Sequence, residues 1–124
     1  MNFFKRRKIL KSTSFTDLTP IKLMQAEPDE NGNLKLMVPK FKNVFLRRYF
    51  IPYWKSSHFK IHLDETGTAV WIEIDGEKSA GEICERLKLV LGEKIQPHDE
   101  VVDRVAKFLS RLYEQRYITF REIL

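Results

Sequence analysis

The segment 59–76, FKIHLDETGTAVWIEIDG, restricts the fold more than any other part of this sequence. Its first five residues alternate apolar and polar side chains, which predicts a strand with one apolar face: Phe59, Lys60, Ile61, His62 and Leu63. Asp64 then stands where a helix N-cap belongs, ahead of a short apolar helix around Trp71. The dipeptide Asp75-Gly76 is typical of a turn. The segment therefore predicts a strand that leads directly into a helix with a buried tryptophan.

Upstream of this segment, the sequence predicts a β-hairpin. Residues 21–26 and 34–38 are two short strand candidates, and the linker between them is dense in turn-forming residues. Pro39 is expected to end the second strand, because proline cannot donate a hydrogen bond to a neighbouring strand.

Downstream, the sequence predicts two further helices and a final strand. Ser79 and Glu82 match a capping box, and the helix that follows is expected to end at Gly92. A third helix is expected from Pro97 to Gln115, and residues 117–121 alternate as a short strand. The apolar stripe of this helix is expected to consist of Val101, Val105, Phe108, Leu109 and Leu112. We therefore expect an α+β, winged-helix-like fold, with a small antiparallel sheet of about three strands packed on three helices.

Basic residues are concentrated in the first half of the chain. Residues 1–11 carry five and residues 31–63 carry seven, with no acid in either range, whereas residues 64–124 hold 9 bases against 13 acids. The basic half is expected to attract an anionic partner. We assign residues 1–16 to a basic tail and residues 17–124 to the folded domain. The tail is either a frayed or docked end, or a short amphipathic anchor at a membrane surface.

Residues 41–53 combine aromatic with basic side chains. Four of the aromatic residues would share one helix face: Phe41, Phe45, Tyr49 and Tyr53. Such a stripe usually belongs to the core, but rings interleaved with arginine and lysine can also stack bases. A winged-helix nucleic-acid-binding regulator is therefore an alternative function. The acidic first turn of the predicted third helix would repel phosphate, so we expect no nucleic-acid partner.

The sequence shows no constellation that would support catalysis or metal binding. The single cysteine, Cys84, excludes an intramolecular disulfide, and its apolar helical neighbours predict a core position. The three histidines (His58, His62 and His98) are scattered over different elements, and no glycine-rich phosphate loop is present. No apolar run approaches the ~20 residues of a membrane helix. We expect a cytoplasmic, non-enzymatic protein without a cofactor or a metal.

These features closely resemble the coenzyme PQQ synthesis protein D (PqqD-like) family over residues 58–120. The string L-D-x-x-G-x-x-V-W at 63–71, with D-G at 75–76, carries most of the resemblance. Further matching positions follow on the second helix, the third helix and the last strand: 83–87, Phe108, Leu109, Leu112, Tyr117 and Ile118.

The resemblance implies a peptide chaperone, the recognition element for the precursor of a ribosomally made, modified peptide, in PQQ biosynthesis or in a related pathway. It implies that the precursor's leader adds as a strand to the third strand, 59–63, beside the third helix. The peptide-binding residues would be Phe59, Lys60, Ile61, His62, Leu63, Val101, Arg104, Val105 and Phe108. The other implied partner is a radical S-adenosylmethionine enzyme or another peptide-modifying enzyme. Open strand edges also allow a homodimer.

Overall fold

The computed structural model describes residues 5, 14–39 and 58–124, which divide into two units. The sheet unit lies within Met24–Asp64, and the helical unit lies within Met1–Leu23 and Glu65–Leu124. The strands are β1 (Pro20–Lys22), β2 (Gln25–Pro28), β3 (Leu34–Pro39), β4 (His58–His62) and β5 (Ile118–Phe120). The α-helices are α1 (Glu65–Glu73), α2 (Ala80–Leu91) and α3 (Val101–Glu114).

The sheet unit is an antiparallel sheet with the strand order β2-β3-β4. The predicted hairpin is confirmed, since β2 and β3 pair with Ala26 opposite Leu36. The turn between them closes where the amide of Asp29 donates to the carbonyl of Asn33 at 2.8 Å. On the other side of β3, β4 pairs with Ile61 opposite Leu36.

The single strand predicted over residues 21–26 is wrong, because the structure divides this stretch between two sheets. β1 pairs with β5, whereas β2 pairs with β3. Just after β1, the amide of Leu23 still donates to the carbonyl of Tyr117 at 2.9 Å, and the chain then bends at Met24. No glycine or proline marks this bend, so the local sequence gave no sign of it.

Helix α1 is anchored by a buried tryptophan, as predicted. Trp71 is 2% exposed and is flanked by the equally buried Val70 and Ile74. The Nζ atom of Lys22, on β1, lies 5.4 Å from the ring centroid of Trp71, within the range of a cation–π contact. Burial lowers the pKa of Lys22, and the charge of Asp75 acts in the opposite direction.

The turn after α1 confirms the interpretation of the Asp75-Gly76 dipeptide. Gly76 has a φ of 79°, in the left-handed region that favours glycine. The Oδ1 atom of Asp75 accepts hydrogen bonds from the amides of Glu77 and Lys78 at 2.9 and 2.8 Å. These amides and the Lys78 ammonium lower the pKa of Asp75 to about 2.

Helix α2 begins at the predicted capping box. The amide of Glu82 donates to Ser79 Oγ at 3.2 Å, and the amide of Ser79 donates to Glu82 Oε1 at 3.3 Å. The helix ends at Gly92, as expected, with a φ of 54°. Its buried side chains are Ala80, Ile83, Cys84 and Leu87. The prediction that Cys84 is a core residue is thus confirmed, and burial raises the pKa of its thiol.

Helix α3 begins later than predicted. Residues His98–Glu100 form a 3-10 turn, in which the amide of Glu100 donates to the carbonyl of Pro97 at 3.1 Å, and the α-helix follows from Val101. Of the predicted apolar stripe, Val101, Val105, Leu109 and Leu112 are buried, and Phe108 is half-buried.

The pairing of β1 with β5 joins distant parts of the helical unit. Pro20 lies opposite Phe120. Beside them, the amide of Thr19 donates to Glu122 Oε1 at 2.7 Å, and the amide of Arg121 donates to the carbonyl of Thr19 at 2.8 Å. A short N-terminal strand is thereby fixed to the chain that follows α3.

Within the described residues, these elements confirm the predicted α+β class, with three α-helices and a three-stranded antiparallel sheet. β1 and β5 form a second sheet of two strands, which the sequence did not predict. The helix predicted for residues 41–53 lies outside the described residues, as does most of the predicted tail, residues 1–16.

Candidate functional site

Strand β4 lies at one edge of the described part of the sheet unit. The amide of Leu63 donates to the carbonyl of Leu34 at 2.9 Å, and the register places these two residues directly opposite each other. Opposed residues of an antiparallel pair alternate between hydrogen-bonded and non-hydrogen-bonded positions. The backbone groups of Ile61 therefore point toward β3, and those of Lys60 and His62 point away from it. β4 thus presents amides and carbonyls at the edge.

The two faces of the sheet unit differ in chemistry. Residues that lie opposite each other share a face, so Phe59 and Ile61 of β4 lie on the face of Leu36 and Val38 of β3. This face is apolar, and Phe59 and Ile61 are 55% and 38% exposed. The other face carries Gln25, Glu27, Lys35, Met37, Lys60 and His62. The alternation predicted from the sequence is therefore present. The apolar side chains of β4 are partly exposed, whereas Leu36 beside them on β3 is 0% exposed.

The opposite edge of the sheet, formed by β2, is a poorer template for pairing. Because the groups of Leu36 point toward β4, those of Lys35 and Met37 point toward β2. The outward positions of β2 are then Ala26 and Pro28. Proline lacks the N–H that an added strand would need, and edge prolines limit pairing with foreign strands. β4 contains no proline, so within the described residues it is the better of the two edges for pairing.

The basic side chains of the polar face differ in their contacts. His62 Nδ1 lies 3.3 Å from Asp29 Oδ2, and Asp29 Oδ1 also accepts from the amides of Asn31 and Asn33 at 2.8 and 3.0 Å. Desolvation raises the pKa of Asp29, but these amides and His62 outweigh it and lower the pKa. Lys60 and Lys35, in contrast, make no ion pair with any described residue.

The four candidate residues on the third helix belong to the helical unit. Val101 and Val105 are 0% and 1% exposed, so they are part of the core. Arg104 is exposed and Phe108 is half-buried. The other five candidates belong to the sheet unit: Phe59, Lys60, Ile61 and His62 are exposed on β4, and Leu63 is buried just after it, since β4 spans His58–His62 and not the predicted 59–63. A role of these nine residues in peptide binding stays a prediction.

An open groove of about 510 Å³ lies along α2 in the helical unit, and the sequence did not predict it. Its lining residues are Thr16, Asp17, Lys78, Ser79, Gly81, Glu82, Glu85, Arg86 and Leu89. Beneath its rim, the carboxylate of Glu73 lies 3.3 Å from both Arg86 Nε and Lys78 Nζ. In the sequence, Leu89 is an apolar residue that does not share the helix face of the buried residues of α2, and this could have indicated the surface. In the structure Leu89 is 77% exposed.

The described residues contain no group of three or more His, Cys, Asp or Glu side chains that could hold a metal ion. None of their helices has the length and the apolar character needed to cross a membrane. The start of α3 is acidic, with Asp99, Glu100 and Asp103, which is unfavourable for contact with nucleic-acid phosphates.

Residues 56–118, about half of the chain, match the family model described as coenzyme PQQ synthesis protein D. The match includes β4, all three described α-helices and the first residue of β5. Comparisons with curated proteins and with solved structures each gave no significant match.

Proposed function

The chain belongs to the coenzyme PQQ synthesis protein D family, and we propose that it binds the leader segment of a precursor peptide by strand addition to β4. At the family level, the function is that of a non-catalytic accessory protein in PQQ synthesis that binds a peptide. The proposal for this chain is the mode of binding: the leader pairs with the outward amides and carbonyls of Lys60 and His62.

The outward backbone of Lys60 is the observation that carries the proposal. In strand addition, main-chain hydrogen bonds supply affinity, and side chains on either face supply selectivity. β4 offers both, since its backbone positions at 60 and 62 point away from β3 and its side chains at 59 and 61 are exposed. The β2 edge carries Pro28 at an outward position, so β4 is the better of the two edges for a peptide.

The remaining predicted residues have distinct parts in this proposal. On α3, the exposed Arg104 and the half-buried Phe108 stay candidates for peptide binding, and the buried Val101 and Val105 position that helix. Leu63 is buried and fixes the end of β4 through its hydrogen bond to Leu34. In the domain assignment that we propose, residues 17–124 form the binding domain and residues 1–16 form a tail.

We further propose that the chain presents the bound leader to a peptide-modifying enzyme of the radical S-adenosylmethionine type, in the cytoplasm. Support for this step comes from the family to which the chain belongs.

Affinity capture with a matched pair of proline variants tests the proposal. Lys60→Pro removes an amide that points out of the sheet at the β4 edge, and Ala26→Pro makes the same change at the β2 edge. Each protein is used as bait in a nuclease-treated lysate of the native cell, and the captured peptides are identified by mass spectrometry. A third bait, Lys60→Thr, keeps the amide and removes the charge.

We expect a short peptide to be captured by the wild type and by Ala26→Pro and to be lost with Lys60→Pro, while circular dichroism shows that α1–α3 stay folded. Lys60→Thr should retain part of the binding, because the amide remains. Undiminished capture of the peptide by a folded Lys60→Pro variant would show that the leader does not add to β4.

A further inference from the structure

We propose that the β4 edge selects peptides in which an acidic residue lies between two apolar residues, with the carboxylate opposite Lys60 and the apolar side chains on the face of Phe59 and Ile61. This inference rests on the proposed function, because it specifies the peptide that the edge would bind. It concerns the chemistry of the sequence that is recognised, which strand addition alone leaves open.

Alternation follows from the geometry of any strand that pairs with β4. Successive side chains of a strand point to opposite faces, in a parallel as well as in an antiparallel arrangement. A residue of the added strand on the face of Lys60 therefore has neighbours on the face of Phe59 and Ile61. Because the side chains of Phe59 and Ile61 on that second face are apolar and partly exposed, they favour apolar neighbours.

The charge of the polar face favours a carboxylate at the central position. Lys60 lies opposite the uncharged Met37 and makes no ion pair with a described residue. Lys35, the other lysine of this face, lies on β3 opposite Glu27 without an ion pair between them in the described structure, and on β4 His62 lies 3.3 Å from Asp29. On β4 itself, Lys60 therefore carries a charge that no described acidic residue pairs with.

The charge of the surrounding sequence also favours an acidic peptide. Residues 31–63 carry seven basic side chains and no acidic one. Such a region attracts anionic segments from a distance and disfavours basic ones. A peptide with the opposite pattern, a lysine between two apolar residues, would place like charges opposite each other at Lys60, which is destabilising in a sheet.

The recognised stretch is short. Lys60 and His62 are the outward positions whose side chains are described, and they lie about 6.7 Å apart along the strand. A peptide of about five residues spans β4, so three consecutive residues, apolar–acidic–apolar, face Ile61, Lys60 and Phe59 in either direction of pairing. The β4 edge should therefore discriminate between peptide sequences at these three positions only.

A displayed library of random nonapeptides tests this inference. It is selected in parallel on the wild type, on Lys60→Glu, on Lys60→Pro and on Lys88→Glu, which makes the same charge change on α2. On the wild type, the binders that are lost with Lys60→Pro should be enriched in Asp or Glu between two apolar residues. On Lys60→Glu, the central position should change to Lys or Arg, and Lys88→Glu should behave as the wild type.

Synthetic peptides from the selection then give the magnitude by fluorescence anisotropy. Exchanging the central Glu for Lys should weaken binding to the wild type by about two- to fivefold, as for an exposed ion pair, and should strengthen binding to Lys60→Glu by a similar factor. Binders that depend on the β4 edge but show no central acid would overturn this inference and leave strand addition intact. If no binder is lost with Lys60→Pro, strand addition itself is wrong.

Discussion

Two adjacent proline substitutions in β4 should differ sharply in their effect on stability, because the backbone groups of neighbouring residues point in opposite directions. The amide of Ile61 points toward β3, where Leu36 lies directly opposite, whereas the amide of Lys60 points out of the sheet. Ile61→Pro therefore removes a hydrogen bond inside the sheet unit, and Lys60→Pro removes none.

The cost of Ile61→Pro follows from the group that is left behind. The carbonyl of Leu36, a residue that is 0% exposed, loses its partner, and an unsatisfied buried acceptor costs about 1–3 kcal/mol. We therefore expect a loss of about 1–3 kcal/mol for Ile61→Pro. For Lys60→Pro we expect a loss below about 1 kcal/mol, because edge positions with an outward N–H tolerate proline.

Amide hydrogen exchange measures the difference between the two variants at the hydrogen bonds between β3 and β4. The amides of Leu36 and Val38 on β3 should lose most of their protection in Ile61→Pro and keep it in Lys60→Pro. Urea unfolding followed by circular dichroism gives the accompanying change in free energy. Equal loss of protection in both variants, or a greater loss in Lys60→Pro, would refute the assignment of inward and outward positions on which the proposed peptide edge depends.

Three further predictions concern the helical unit. Ser79→Ala should lower the free energy of unfolding by about 1 kcal/mol in urea titrations, because it removes the acceptor of the Glu82 amide at the start of α2, and Ser79→Asp should recover most of it. Desolvation raises the pKa of Glu73, but Arg86 and Lys78 outweigh it and hold the pKa below its usual 4.5. The ionised Glu73 therefore stabilises the fold above about pH 4.5, and this stabilisation is lost as the pH falls through the lowered pKa. The difference in free energy of unfolding between the wild type and Glu73→Gln should accordingly become smaller on acidification below about pH 4.5. Cys84, 1% exposed and with its pKa raised by burial, should react with a thiol reagent only as fast as the helical unit opens, and a rapid reaction in native buffer would contradict its core position.

The elements that local patterns predict correctly are those whose determinants lie within a few residues of each other. The capping box of Ser79 and Glu82 and the stop at Gly92 define α2 from the sequence alone, and the structure confirms both ends. The stripe on α3 likewise predicted Val101 and Val105 as apolar neighbours on one face. The pattern did not show that Val101 and Val105 are buried while Phe108 is half-buried. Spacing indicates which residues share a helix face, but packing against other elements decides which of them become buried.

The strand interpretation failed where pairing is non-local. Residues 21–26 form an uninterrupted run, and its division depends on β5, whose residues lie about a hundred positions later. No periodicity within the run contains that information. For β4, alternation predicted the two faces correctly, but the direction of each backbone amide required the register against β3, which only the structure supplies.

The pairing of β1 with β5 also affects the order in which the chain can fold during translation. Pro20 leaves the ribosome 100 residues before Phe120, its partner in the sheet, which corresponds to roughly 5–20 seconds of synthesis. All residues of the sheet unit emerge within that interval, so β2, β3 and β4 can pair before β5, the partner of β1, has been synthesised. During this time β1 is an unpaired strand next to the ribosome, and the proline at its first position limits its pairing with other nascent chains.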